Sequence, residues 1–197
     1  MREILWVTSI VLTVLFVAVG MYWYAKETKE KSTPNFVVIS LWALIAVANT
    51  ITYAFIVADW SKWTLNIVGL LANIFVLGVI LLHKNYILYK EDIMIIVTGI
   101  LIVLVLIVFM NMKDLHIIMQ IINTVVYIPL ILRIYDGTGK EPFWPWIVIS
   151  LGTVTNLVTV LLHYTDYWSL IHPLRSLVCQ IIVIVIIRVK EIRTARF

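Results

Sequence analysis

Residues 93–112 read IMIIVTGILIVLVLIVFMNM, a run without any charge between Asp92 and Lys113. An α-helix rises about 1.5 Å per residue, so a run of roughly 20 residues crosses the ~30 Å hydrocarbon core of a bilayer. In lipid, each backbone amide needs a partner within its own segment, so the run is predicted to be helical despite its many β-branched residues. The stretch therefore predicts a membrane-spanning helix.

Six more apolar stretches of similar length flank this one, and short clusters of charged residues separate them. The chain is 62% hydrophobic, against ~45–50% in an average soluble domain, and its mean hydropathy is +1.03. We therefore predict an all-α integral membrane protein with seven transmembrane helices. The predicted spans are residues 4–25, within 32–58, 63–82, 93–112, 115–132, within 142–165 and within 167–187.

The basic residues divide unevenly between the two predicted sides. One side carries Arg2, Lys62 and Lys113. The other carries Lys26, Lys29, Lys31, Lys84, Lys90, Arg133, Lys140, Arg188, Lys190, Arg193 and Arg196. Because Lys and Arg collect on the cytoplasmic side, we predict an N-terminus outside and a C-terminus in the cytoplasm. This placement also explains the net charge of +4 without nucleic-acid binding, which we do not expect.

Residue types that carry chemistry are sparse. The single Cys179 excludes an intrachain disulfide. The four histidines lack the spacing of a metal site, and the sequence has no catalytic triad, metalloprotease motif or phosphate loop. We therefore expect no metal, no cofactor and no enzymatic activity.

An internal repeat relates the second and sixth spans. Three residues of the second have counterparts in the sixth at an offset of 107 to 108: Pro34 and Pro142, Asn49 and Asn156, Asp59 and Asp166. This offset moves the chain four helices along, so both copies keep one orientation. It predicts two parallel three-helix repeats, 1–90 and 114–197, joined by a linker helix at 91–113. The alternative is a chance match of residues common at helix ends.

Polar side chains follow single faces of several spans. In the fifth, His116, Gln120, Asn123 and Tyr127 lie at i, i+4, i+7 and i+11. The fourth span is almost wholly apolar, as a lipid-facing linker should be. Five predicted substrate contacts are asparagines that could instead hydrogen-bond between helices, and Trp42 could instead face lipid. The predicted contacts are Trp42, Asn49, Asn66, Asn73, Gln120, Asn123, Asn156 and Arg175. Amides both donate and accept, which suits an uncharged hydroxyl- or amide-bearing solute.

Arg175 is the only charge well inside a predicted span. A membrane-buried charge is costly and is commonly paired or functional. One interpretation is that Arg175 reaches outward to the interface or pairs with Asp59 or Asp166. The other is that it contacts an anionic or carbonyl-bearing solute that enters from outside.

This plan resembles that of the SWEET sugar transporters and related PQ-loop proteins, and the PnuC-type vitamin transporters share it. Residues 66–69, NIVG, resemble the Asn-x-x-Gly of the SWEET substrate site. Pro129, and Pro173 with Gln180 after it, resemble family positions in helices five and seven. The chain departs from the family in having Leu174 after Pro173 and no Pro-Gln pair. The resemblance implies the 3+1+3 fold and alternating access, for which Pro129 and Pro173 are predicted hinges.

No Asp or Glu lies in the middle of a predicted span, which favours facilitated diffusion over proton coupling. The alternative is proton coupling through a histidine relay. The leading hypothesis is a facilitator of a small polar solute, such as a sugar or a nucleoside. The alternatives are a channel or pore subunit and a non-transporting receptor or assembly protein. The expected partners are the solute and the lipid bilayer. Both a monomer and a homo-oligomer are compatible with the sequence.

Overall fold

A computed structural model describes residues 1–31, 36–57, 59–83, 90–137, 141–163 and 166–194. Within these residues the chain is helical, with a 3₁₀ turn at Trp60–Trp63. The α-helices are α1 Arg2–Lys31, α2 Phe36–Ile56, α3 Thr64–His83, α4 Lys90–Phe109, α5 Met112–Val125, α6 Tyr127–Asp136, α7 Phe143–Leu162 and α8 Trp168–Thr194. Pro34 and the predicted loop residues Lys84, Lys140 and Arg196 lie outside the described residues.

Six helical segments of the described chain are long and apolar enough to cross a membrane. They include Met112–Asp136, in which α5 and α6 follow one another, whereas α4 carries a shorter apolar stretch, Ile93–Phe109. Large apolar side chains such as Phe55, Leu71 and Phe109 are exposed around the bundle. A surface of this kind faces lipid, and these features together indicate an integral membrane protein.

The predicted end of the fourth span is wrong. We predicted a helix over 93–112, but α4 ends at Phe109 and Asn111 begins the next helix. The side chain of Asn111 accepts hydrogen bonds from the backbone N–H groups of Lys113 and Asp114, each at 3.1 Å. This N-cap satisfies donors that the first turn of α5 leaves free, so it favours a new helix over continuation of α4.

Three other helices run beyond their predicted ends. The helices α1 and α8 continue through basic segments to Lys31 and Thr194, because charge does not stop a helix once it leaves the lipid. In α8 the pair Arg188–Glu191, 3.0 Å apart, links successive turns of this extension. The helix α6 passes Arg133 and ends at Gly137, whose φ of 81° is a left-handed conformation that terminates helices.

The helices α1 and α7 form the most extensive contact between helices. They run antiparallel, and hydroxyl pairs join them at Ser9–Thr159 (2.7 Å) and Thr13–Thr155 (3.0 Å). Glycines 20 and 152 allow the two backbones to approach closely. The small residues of the first span therefore serve helix packing, as glycine and hydroxyl residues commonly do in membranes.

The remaining helices surround this pair in a definite order. The helix α3 packs against both α1 and α2, and α8 packs against both α7 and α6. The helices α2 and α5 form a second interface between the first and the last three spans. At the edge, α4 contacts α2, and Val103 is the only buried residue within 93–109. A space is left between the first and last groups of helices.

Candidate functional site

That space contains a cavity of about 120 Å³. One water molecule needs roughly 10–15 Å³ by the same measure, so the cavity has room for several waters or one small solute. Residues from every described helix except α4 line it. It is the place in the bundle where a polar solute can be surrounded by side chains from both groups of helices.

Most of the predicted contact residues meet at this cavity. Six line its wall, namely Trp42, Asn49, Asn66, Asn73, Asn123 and Arg175. The amide nitrogen of Asn73 donates to the Gly69 carbonyl at 2.8 Å, so this group is engaged within its own helix. Gln120 is buried behind the wall and hydrogen-bonds to Asn49, whereas Asn156 is buried on α7 and is not one of the residues lining the cavity.

A hydrogen-bond network joins three helices at the wall of the cavity. The Nε of Arg175 on α8 donates to Oε1 of Gln120 on α5 at 3.0 Å. The Nε2 of Gln120 donates to Oδ1 of Asn49 on α2 at 2.9 Å. A second guanidinium nitrogen of Arg175 lies 3.2 Å from Nδ1 of His172. The charge of Arg175, well inside a predicted span, is thus held among polar side chains.

The predicted pairing of Arg175 with Asp59 or Asp166 is wrong, because neither carboxylate pairs with it among the described residues. Instead, each aspartate caps the helix that follows it. Asp59 Oδ1 accepts from the N–H of Ser61 at 3.0 Å, and Asp166 Oδ1 accepts from the N–H of Ser169 at 2.9 Å. Arg175 therefore has polar partners but no carboxylate.

One end of the cavity is lined by three rings, Trp42, Tyr127 and Trp146, which we call the aromatic cluster. Trp42 lies 5.1 Å from Tyr127 and 6.1 Å from Trp146, measured between ring centroids. Trp146 lies near the start of α7, where an interfacial position is common for tryptophan, but it is only 4% exposed. Its ring packs edge-on against Tyr24 at 6.1 Å, and its indole N–H donates to Glu141, so both its apolar and polar parts have partners inside the bundle.

Beyond the network lies a second set of buried rings, Tyr53, His116 and His172, which we call the histidine cluster. Tyr53 lies 5.5 Å from His116 and 6.4 Å from His172. None of these three residues is among the predicted substrate contacts, although His116 belongs to the polar face predicted for the fifth span. Helical spacing could have indicated the histidines, because His116 is one turn before Gln120 and His172 is one turn before Arg175.

The two predicted hinges lie at irregular points of the helices. Proline has no N–H, so Pro173 leaves the Ser169 carbonyl without its helical donor. The hydroxyl of Tyr53 donates to that carbonyl at 2.7 Å. Pro129 follows the break between α5 and α6 and similarly cannot donate to Val125. The hinge role of both prolines stays a prediction.

No protein family, curated protein or solved structure matches this chain. In the described part of the chain, no group of three or more His, Cys, Asp or Glu residues is arranged to hold a metal ion. The geometry of the cavity is therefore the basis on which a function is inferred.

We expect the stability of the protein to depend on pH through Glu141. This residue lies between α6 and α7, outside the membrane-spanning segments. Desolvation raises its pKa from about 4.5 to about 7, although hydrogen bonds from Tyr24 and Trp146 oppose the shift. The folded protein thus holds this proton more tightly than the unfolded chain. The stabilisation is full below pH 4.5 and is lost as the pH rises to about 7.

The measurement is the melting temperature of the detergent-solubilised protein from pH 4.5 to 7.5. Other groups titrate in both proteins, so the informative quantity is the difference between wild type and Glu141→Gln. We expect the wild type to lose stability relative to the variant across this window. Parallel profiles would show that the carboxyl has no raised pKa.

Proposed function

We propose that this protein is a membrane transporter that facilitates the diffusion of a small polar solute by alternating access through the central cavity. The observation that carries the proposal is the Arg175–Gln120–Asn49 network at the wall of a cavity inside an apolar bundle. Polar and ionisable groups in membrane helices are costly and mark solute pathways. The histidine cluster and the aromatic cluster are the proposed closures on the two sides of the site.

We further propose the 3+1+3 arrangement, with the two three-helix repeats related by a two-fold axis along the membrane normal. The register of the helix contacts supports it. By the offset of 107, Ser9 in the first half corresponds to His116 in the second, and Thr159 in the second corresponds to Thr52 in the first. If the halves are repeats, the contact between Ser9 and Thr159 should therefore recur between His116 and Thr52. Both are contacts, with Oγ–Oγ1 at 2.7 Å in the first and Nδ1–Oγ1 at 3.4 Å in the second.

A second pair of contacts follows the same rule. Gly20 lies so close to Ile149 that a Cβ on the glycine would touch it. By the same offset, Gly20 corresponds to Tyr127 and Ile149 corresponds to Trp42. These two residues are also in contact, with ring centroids 5.1 Å apart. The helix order agrees, since α3 lies between α1 and α2 as α8 lies between α6 and α7. Paired repeats of this kind place a solute site at the interface between them.

Orientation completes the proposal. The charge bias of the loops supports an N-terminus outside and a C-terminus in the cytoplasm. With this orientation the histidine cluster is the outer closure and the aromatic cluster is the inner one. Facilitated diffusion then requires the two closures to open in turn, which bending at Pro129 and Pro173 would permit.

Uptake into proteoliposomes tests the proposal. The purified protein should accelerate entry of at least one solute in a panel of radiolabelled sugars, nucleosides, amino acids and organic acids. Uptake should saturate with solute concentration, because each transport cycle has one binding step. Liposomes without protein are the control. Single-channel current would instead indicate a pore, and neither uptake nor current would indicate a receptor or assembly protein.

A further inference from the structure

The cavity wall carries hydrogen-bond donors that have no acceptors. The side-chain amide nitrogens of Asn49 and Asn66 and the indole nitrogen of Trp42 are buried without a hydrogen-bond partner in the described protein. All three residues line the cavity. Buried donors left unpaired are costly, and a ligand that supplies acceptors removes that cost. The donors therefore point to the chemistry of a ligand.

Arg175 fixes the direction of the network, because a guanidinium donates and never accepts. Gln120 must turn its oxygen towards Arg175, which leaves its NH₂ group to donate to Asn49. Asn49 must then turn its oxygen towards Gln120, and its own NH₂ group remains as the free end. The Arg175 side chain thus ensures that Asn49, on the α2 wall of the cavity, keeps an unpaired donor.

The charge of the cavity has one sign. Arg175 is the only residue with a full charge among those described along the lining, and no described carboxylate pairs with it. The Nδ1 of His172 lies 3.2 Å from the Arg175 guanidinium and 3.3 Å from Oε1 of Gln120, so His172 brings no negative charge to Arg175. An arginine without a counter-charge in a membrane span is costly, and an anion bound beside it would offset that cost.

Aromatic rings line another part of the cavity. Trp42, Tyr127 and Trp146 form a wall of rings that packs against flat or apolar groups. The hydroxyl of Tyr127 lies beside the Arg175 side chain, so this wall begins next to the charge. A ligand that satisfies both the charge and the rings has an anionic head and a small apolar body.

We propose that the solute of this cavity is a small organic carboxylate. Its carboxylate lies against Arg175 and the NH₂ groups of Asn49 and Asn66, and its body lies against the aromatic cluster. Carboxylate oxygens only accept, so they match the unpaired donors, and their bonds to arginine are charge-assisted. The lining also carries one buried acceptor without a partner in the described protein, Oε1 of Gln180. The inference narrows the solute class of the proposed transporter and rests on that function.

The test compares two probes of nearly equal size, benzoate and the uncharged benzamide. Binding to the full chain in phosphatidylcholine nanodiscs is measured by calorimetry at pH 7.5. Benzoate should bind at least about tenfold more tightly, since bonds to a charged donor exceed neutral ones by roughly that factor. Arg175→Gln should abolish the preference, and Arg175→Lys, which keeps the charge, should retain part of it. The control Arg193→Gln removes an exposed charge and should change nothing.

A second variant covers the case in which Arg175→Gln does not fold. Asn66→Asp places a carboxylate on the cavity wall and should abolish benzoate binding while benzamide binding persists. Equal binding of the two probes, or a preference that survives Arg175→Gln, would overturn the proposal. Tighter binding of inorganic phosphate than of benzoate would also overturn it, because the site would then suit a phosphate or a lipid headgroup.

The binding test of the carboxylate site and the uptake test of transport can fail independently of each other. Uptake of a neutral solute without carboxylate preference would leave the transporter standing and refute the carboxylate site. Tight benzoate binding with no uptake of any solute would support the site and refute transport.

Discussion

Replacing Gly152 with leucine should leave almost no folded protein in the membrane. A Cβ at Gly152 would lie 2.6 Å from Cγ2 of Val17 and 3.1 Å from the backbone nitrogen of Val17. Valine in a helix has one strongly preferred χ1 rotamer, so this methyl group cannot swing away. The larger side chain would therefore push α1 and α7 apart and separate their hydroxyl pairs. The measurement is the yield of monodisperse protein after detergent extraction.

Smaller changes at the contact between Gly152 and Val17 should destabilise the protein by smaller amounts. Gly152→Ala should lower the free energy of unfolding by about 1–3 kcal/mol, as overpacking usually does. Adding Val17→Ala should recover part of that loss, because it removes the nearest methyl group. The control Val154→Leu lies on the exposed face of α7 and should have little effect. Normal yield of Gly152→Leu would contradict the close packing of α1 and α7.

The helical, membrane-spanning nature of the chain could be predicted because bilayer thickness fixes how many apolar residues a span needs. Of the seven predicted spans, six are long and apolar enough among the described residues, whereas α4 carries a shorter apolar stretch. Helix ends could not be predicted in the same way. The side chain of Asn111 starts a new helix inside what reads as one apolar run. The basic ends of α1 and α8 remain helical in water, where charge clusters give no stop signal.

The candidate site was predictable where it depends on one helix and obscure where it depends on several. The spacing of Gln120, Asn123 and Tyr127 correctly indicates one polar face directed to the interior. The bond from Tyr53 to Ser169 depends on a carbonyl released by Pro173 on a distant helix. No sequence pattern within α2 indicates such a partner.

Asn156 shows why the proposed repeat would not transfer the role of a residue from one half of the chain to the other. By the offset of 107 it corresponds to Asn49, whose partner Gln120 corresponds to Thr13. Threonine is shorter than glutamine, and Thr13 bonds to Thr155 instead. The amide nitrogen of Asn156 is left without a partner in the described protein. Because Asn49 has Gln120 as a partner and Asn156 has no equivalent, the polar network forms only beside Asn49 among the described residues.

Gly69→Leu should abolish transport without harm to the fold. Gly69 lines the cavity, and a Cβ built on it would meet nothing within 4 Å. A leucine there would project into open space, occupy much of the cavity and exclude the solute. Leucine also has a higher helix propensity than glycine, so α3 should not be weakened.

Gly78 on the same helix supplies a matched control. Its Cβ would also meet nothing within 4 Å, but Gly78 is not one of the residues lining the cavity. Gly78→Leu makes the same chemical change on the same element, so any effect of added bulk or propensity should be shared by both variants.

The comparison of these two variants tests most directly whether the central cavity is the solute path. The measurement is proteoliposome uptake of whichever panel solute gives the largest wild-type signal, with equal amounts of folded protein reconstituted. The account predicts wild-type uptake for Gly78→Leu and, for Gly69→Leu, uptake no greater than that of protein-free liposomes. Uptake by Gly69→Leu equal to that of Gly78→Leu would contradict it.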